Sequence, residues 1–436
     1  MTDKKQGFHT RSIHEGYTPE PTTGARQVPI YQTAAYVFEN AEDAADKFAM
    51  KKPGNVYARQ HNPTTSVLEA RLASLEGGVG ATVTGSGHSA QLIALMALLR
   101  PGDRFIASKR LYGGTIDQFQ SLFPNSFGWQ ADIVDMEDFA AVKAAIKPNT
   151  KAIFVESLAN PGGVITDMEA ISNIAKEAAI PFIVDNTMAS PYLCRPIEWG
   201  ADIIVHSTTK FLNGQCTAIG GAVVDGGTFD WLKHAEKFPE LGKPHASCGG
   251  KILAEVFGKR ALTVHGHAIG LRGLGASQSP FNSFLTLNGI ETLGIRMDRH
   301  VKNAQEVAEW LEKHPQVSSV SYAGLPSSKY HTLAKKYLPK GAGAVFTFGV
   351  KGGFEAAKAT VENMKLFSML ANIGDTRSLV IHPASTTHSQ LSEAQRQAAG
   401  VLGEMIRVSI GIEDAEDIIA DLEQALAAAS KVKKAA

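Results

Sequence analysis

ADIIVHSTTKFLNG, residues 201–214, reads as an apolar β run, Ile203–Ile204–Val205, that ends in small hydroxyl residues and then in a single lysine, Lys210. Packing alone gives little reason to place a lysine at the mouth of a buried strand between Thr209 and Phe211. Desolvation there lowers the ammonium pKa and exposes a nucleophilic amine, which suits a Schiff base with a carbonyl compound. Ser207 and Thr209 add hydroxyls able to hydrogen-bond a phosphate. A lone strand-end lysine is more often a snorkelling surface residue, so the segment has to be weighed with its neighbours.

Similar runs flank it. GATVTGSG, DRFIAS, KAIFVES and PFIVDN are short and apolar, as strands buried on both faces are. Helical patterns such as HSAQLIALMALLR and MEAISNIAKEA alternate with them. That βαβ order predicts an α/β fold with a mostly parallel central sheet and helices on both sides. The spacing predicts a helix from Pro63 with Gly77–Gly78 as its stop. Residues 1–62 have little periodicity and suit an extended arm that lies on another surface, a second subunit being one candidate. Residues 63–285 are expected to form the α/β domain and 286–436 a smaller α+β domain. In the latter, a helical pattern from Pro280 to Lys313 precedes the strands SSVSYAG, GAVFTFGV and MIRVSIG. The tail EDAEDIIADLEQALAAASKVKK reads as an amphipathic helix whose acids come early and lysines late, matching its dipole. FDWLKHAEKFPELGKPHAS, from Phe229 to Ser247, breaks the rhythm and is expected to form a long surface insertion.

Bulk properties exclude several classes. The 436 residues carry 43 Lys plus Arg and 43 Asp plus Glu, so no global field favours nucleic acid or an anionic membrane. No stretch approaches the ~20 apolar residues of a membrane span. Cys194, Cys216 and Cys248 are an odd number without CxxC spacing, which argues against a disulfide framework or a zinc site and for a reducing cytoplasm. The polar start MTDKKQGFHTRSIHEG lacks a signal peptide's apolar core. No metal is expected.

Two further strand ends strengthen the reading of Lys210. In GSGHSA, residues 85–90, Gly85 and Gly87 allow close backbone approach, and the helix that follows offers free N–H groups to a phosphate. Such a turn is common and weak alone, and it lacks the third glycine of a dinucleotide fingerprint and any Walker lysine. Asp185 closes PFIVDN and either caps the next helix or faces the crevice at the carboxyl ends of the strands. An acid to hold a pyridine nitrogen protonated, with a lysine to hold an aldehyde, is what the electron-sink chemistry of pyridoxal phosphate (PLP) requires.

The chain resembles the cysteine and methionine metabolism family of PLP-dependent enzymes, in VYARQHNPT, LYGGT, VESLANP, IVDNT, HSTTKFLNG, HPASTTHS and IRVSIGIED. Within that family NIGDTRSLVIHPASTTH, residues 372–388, and VDGGTFDW are most similar to the O-acetylhomoserine sulfhydrylases. The resemblance implies the PLP-dependent transferase fold (aspartate aminotransferase-like, fold type I). It implies that Lys210 forms the Schiff base and acts as the mobile base, that Asp185 pairs with the pyridinium nitrogen, and that Tyr112 stacks on the ring and helps move protons. Ser207, Thr209, Gly87 and His88 would hold the phosphate, with Tyr57 and Arg59 reaching it from a neighbouring subunit. Arg407 would fork onto the substrate carboxylate, assisted by Asn160, with Asn372 also at the substrate. A dimer would be the minimum unit and a tetramer the expected one, acting on an amino-acid ester and a thiol. Gly114 stands where methionine γ-lyases carry cysteine, which favours a transferase over a cystathionine or methionine lyase; the acyl group of the ester, acetyl or succinyl, stays open. Cys248 is expected to be a passive thiol.

Overall fold

The computed structural model describes residues 6–432 apart from 162, 388, 391 and 394–399. The first five residues of the expected arm, His388 at the end of the 372–388 segment, and residues 433–436 lie outside the described residues. The chain divides into two compact units: Met1–Ser157 with Thr166–Thr292, and Leu158–Ile165 with Leu293–Ala436.

The first unit is built on a seven-stranded sheet: β1 (Gly80–Thr84), β2 (Arg104–Ser108), β3 (Gln130–Val134), β4 (Thr150–Glu156), β5 (Phe182–Asp185), β6 (Ile203–Ser207) and β7 (Gly221–Asp225). Their spatial order is β1-β7-β6-β5-β4-β2-β3. β7 alone runs against the others, pairing antiparallel with β1 and β6. The mostly parallel sheet expected from the sequence is therefore present. The central residues of its middle strands are apolar because both faces are covered: Phe154, Ile183, Ile204 and Val224 are completely buried. β3 and β7 escaped the sequence reading for physical reasons. β3 is an edge strand, exposed or half-buried along its length, so it lacks the apolar run. β7 opens on the second glycine of the pair Gly220–Gly221, which reads as a turn.

The parallel arrangement sends the ends of β1, β4, β5 and β6 to one edge of the sheet. Thr84, Glu156, Asp185 and Ser207 close those strands. Beneath that edge a buried network braces the strands. His206 Nε2 and Glu76 Oε1 lie 2.6 Å apart, Asn186 donates to the same oxygen at 2.8 Å, and Ser157 Oγ donates to Asn186 Oδ1 at 2.8 Å.

Two expectations need correction. The N-terminal segment is not extended throughout, since helices Phe8–His14 and Ala41–Phe48 form within it. The first is tied to helix Pro63–Glu76 by Arg11, whose guanidinium donates to Ser74 O. The 229–247 segment is not a surface insertion. Trp231, Phe238 and Leu241 are buried, as is Cys248 just beyond, and Phe238 meets Phe229 and Trp231 edge-on at 5.2 and 5.5 Å. Its charged residues hid a spaced set of aromatic anchors. Beyond it, β8 (Pro244–His245) and β9 (Lys251–Ile252) form a two-stranded ribbon.

The second unit holds a five-stranded sheet: β10 (Val317–Ser321), β11 (Val345–Val350), β12 (Ser368–Met369), β13 (Leu379–Ile381) and β14 (Met405–Ser409), in the order β10-β11-β14-β13-β12. All pairs are antiparallel except β12–β13. The helical pattern from Pro280 resolves into two helices, Pro280–Glu291 and Leu293–Lys313. The units part at Thr292, between those helices.

Because Phe238 is fully buried, Phe238→Ala is expected to cost about 3–5 kcal/mol in denaturant unfolding. A surface insertion would lose at most about 0.5 kcal/mol.

Candidate active site

Close packing at the carboxyl edge begins with helix Gly87–Met96, which follows β1. Ser86 caps it by accepting from Ser89 N–H at 3.2 Å, and the N–H groups of Gly87 and His88 that open the helix have no partner within it. A Cβ on Gly87 would come within 2.8 Å of Ser207 Cβ. Glycine therefore lets the positive end of this helix lie against the end of β6, two residues before the Thr209–Lys210 pair. Ser207 N–H donates to Thr187 Oγ1 at 2.8 Å, locking β6 to the loop after β5. Thr209 Oγ1 both donates to Gly220 O (3.2 Å) and accepts from Gly220 N–H (3.1 Å). Lys210 follows in a turn and is half-buried.

Asp185 is buried at the end of β5. One oxygen accepts from Thr187 N–H at 2.9 Å and the other from Gln91 Nε2 at 3.4 Å. Gln91 also donates to Thr115 Oγ1 at 3.0 Å, while its own Oε1 is buried without a hydrogen bond. Tyr112 lies beyond β2, at the start of helix Gly113–Asp117. Its N–H donates to Glu156 Oε1 at 2.6 Å, and its ring, still about half exposed, stacks on His88 at 6.1 Å and 25°. A Cβ on Gly114 would meet Tyr112 Cε1 at 2.6 Å and His88 Cε1 at 3.1 Å, so glycine there sets the ring positions. The His88 imidazole has a lowered pKa. Partial desolvation is the main cause and the Lys210 ammonium acts the same way, against the pull of the Asp185 and Asp117 carboxylates. Lys210 and Asp185 thus both lie close enough to act on His88, and Tyr112 joins them by stacking on the same ring.

Gln91 and Glu156 are further candidate site positions, through their contacts with Asp185 and Tyr112, that sequence reasoning missed. Both had a signal. Gln91 falls one turn after Gly87, on the same helix face. Glu156 is the last residue of β4 just as Asp185 is the last of β5, and the two pair in register.

The second unit contains its own cluster. Arg407, on β14, donates to Asn160 Oδ1 and to Asn372 O, each at 3.3 Å. The segment bearing Asn372 is held to β14 by Gly374 N–H, which donates to Ser409 Oγ at 2.9 Å. Glu413 ties down the rest, accepting from Ser378 N–H and Oγ at 2.6 and 3.0 Å. Tyr57 and Arg59 are exposed on the N-terminal segment, where the guanidinium lies over the phenol ring at 5.2 Å.

The chain matches the family described as Cys/Met metabolism PLP-dependent enzymes over residues 9–427. It belongs to that family. An O-acetyl-L-homoserine sulfhydrylase of Thermus thermophilus is 47% identical over 96% of this chain and 100% of its own. The homocysteine synthase of Schizosaccharomyces pombe is 45% identical over 98% and 99%. A solved Campylobacter jejuni protein, described as an O-acetylhomoserine (thiol)-lyase, superposes with a TM-score of 0.93 at 42% identity, covering 97% of this chain and 100% of that one. That protein carries N'-pyridoxyl-lysine-5'-monophosphate. The fold is thus that of the fold-type-I PLP enzymes, and the chain is a PLP-dependent enzyme with small-molecule substrates.

The residues present fit PLP. The edge joins a lysine, a buried acid, an open aromatic face and a glycine-lined helix terminus, and Gln91 Oε1 beside Asp185 awaits a partner. Because the Gly87–Ser207 approach leaves no room for a methyl group, Gly87→Ala is expected to weaken PLP retention by about tenfold or more. The check is the fluorescence of cofactor released on dilution.

Proposed function

We propose that this enzyme replaces the acetate of O-acetyl-L-homoserine with sulfide, giving L-homocysteine, or with methanethiol, giving L-methionine. Its support is the set of relatives named O-acetylhomoserine sulfhydrylase or homocysteine synthase that match nearly the whole chain, together with the presence of Lys210, Asp185, Tyr112 and Arg407 at the positions described. Gly114, crowded against Tyr112 and His88, favours the transferase over a γ-lyase.

The chemistry is demanding because the leaving group at Cγ is remote from the acidic Cα proton. PLP supplies, when bound, the electron sink that makes Cα and then Cβ acidic. Lys210 would hold the aldehyde before substrate arrives and then carry protons between carbons, a task its flexible stem suits. Asp185, oriented by Thr187 and Gln91, would keep the pyridine nitrogen protonated. Tyr112 would stack on the ring and relay protons. The helix terminus at Gly87 and His88, with Ser207 and Thr209, would hold the phosphate. Arg407 would bind the substrate carboxylate through its planar fork, with Asn160 holding the guanidinium and Asn372 lining the same approach. Acetate departs from Cγ, and the thiol sulfur forms the new bond there.

Tyr57 and Arg59 would reach the phosphate of a neighbouring subunit, making a dimer the smallest active form and a dimer of dimers the expected one. The division into an arm, a PLP-binding domain and a C-terminal domain is part of the same reading. So is a cytoplasmic location, supported by three free cysteines; among the described residues no helix is long and apolar enough to cross a membrane.

Product analysis with O-acetylhomoserine tests the reaction. Homocysteine formed only with sulfide is expected; 2-oxobutyrate and ammonia regardless of sulfide would make the enzyme a lyase. A preference for the succinyl ester would change the acyl group alone. Arg407→Lys is expected to raise KM for the ester by about ten- to a hundredfold, the loss of a charge-assisted bidentate bond. In mixed oligomers, inactive Arg59→Ala and Lys210→Ala chains are expected to restore part of the activity, and no recovery would contradict the shared site.

A further inference from the structure

Outside the cluster around Lys210, the first unit brings Glu240, His245 and His265 together so that one ligand atom from each lies within 4.8 Å of the others. We propose that these three side chains form a binding site for a divalent transition-metal ion, zinc being the natural occupant.

Three different elements supply the donors. Glu240 lies on the short helix Pro239–Gly242, His245 on β8, and His265 ends helix Ala261–His265. His245 Nε2 and Glu240 Oε2 are 2.8 Å apart, and the two imidazoles meet edge-on at 6.3 Å. His245 Nδ1 and His265 Nδ1 are buried and have no hydrogen bond. His265 is only 1% exposed, so its orphaned nitrogen is not excused by solvent. A buried polar atom left without a partner costs about 1–3 kcal/mol, and two in one cluster call for a further group.

The donor set has the right chemistry. Two imidazoles and a carboxylate are a recognised zinc triad, with metal–ligand distances of about 2.0–2.2 Å and a fourth position left for water. Arg100 does not compete for the same atom. It donates to Glu240 Oε1 at 3.1 and 2.8 Å, while the contact to His245 uses Oε2. A hydrogen-bonded ligand carboxylate is what an outer shell normally provides. Glu240 and His265 also line a cleft of about 560 Å³ together with Phe127 and Trp129.

The cysteine argument against zinc does not reach this site, which uses no cysteine. Its physical effect would be to staple the 229–252 segment to the helix behind it.

The test uses the PLP-loaded full-length enzyme, dialysed against a chelator and titrated with zinc against a chromophoric competitor. About one zinc per chain is expected, with Kd of about 1 μM or tighter. His245→Ala and His265→Ala should each weaken it by at least about tenfold while keeping the visible absorbance of bound cofactor, which reports that they fold. Should either variant fail to fold, Glu240→Gln and the cobalt(II) spectrum of the unaltered enzyme decide. Intense visible bands of a four-coordinate N/O site, diminished in Glu240→Gln, support the proposal. Absence of saturable binding, a weak octahedral cobalt spectrum, or zinc affinity unchanged in the variants would overturn it.

Discussion

Everything at the carboxyl edge depends on one close approach, that of the Gly87 backbone to the Ser207 side chain. It sets the positive end of a ten-residue helix directly against the strand that leads to Lys210. A helix terminus attracts an anion because its first N–H groups lack partners and its dipole is uncompensated. Any side chain at Gly87 would separate helix and strand, and the proposed phosphate site would open. The requirement is steric at its root and electrostatic in its effect.

The other groups are arranged around that contact by the parallel sheet. β4, β5 and β6 run side by side, so Glu156, Asp185 and Ser207 reach the same edge without any long loop. The two carboxylates then each have a backbone or amide partner that orients them: Thr187 and Gln91 for Asp185, and the Tyr112 N–H for Glu156. Holding reactive groups on strand ends and helix starts fixes them better than loops would. In the second unit the antiparallel pairing of β14 with β11 and β13 performs the same service for Arg407.

How much was legible in the sequence follows from where the physics is local. The buried parallel strands announce themselves as apolar runs, and Asp185 and Lys210 stand out because a charge ends such a run. β3 was invisible because a half-exposed edge strand has no need of that pattern. The Phe229–Ser247 segment misled because its lysines and glutamates outnumber the few aromatic residues that anchor it, and burial of Trp231 and Phe238 is a tertiary fact. The Glu240–His245–His265 cluster depends on a tertiary contact that brings His265 to the other two, which no local pattern displays. The arm's role across a subunit boundary rested on resemblance rather than on the residues' own pattern.

The central claim is that Lys210, at the edge organised by Gly87 and Ser207, is the lysine that carries PLP. Borohydride reduction of the native enzyme followed by peptide mass spectrometry tests it most directly. The expected result is a single phosphopyridoxyl group on the peptide containing HSTTKFLNG, at Lys210. A group found on any other lysine, or no covalent adduct in an enzyme that still turns over its substrate, would contradict it.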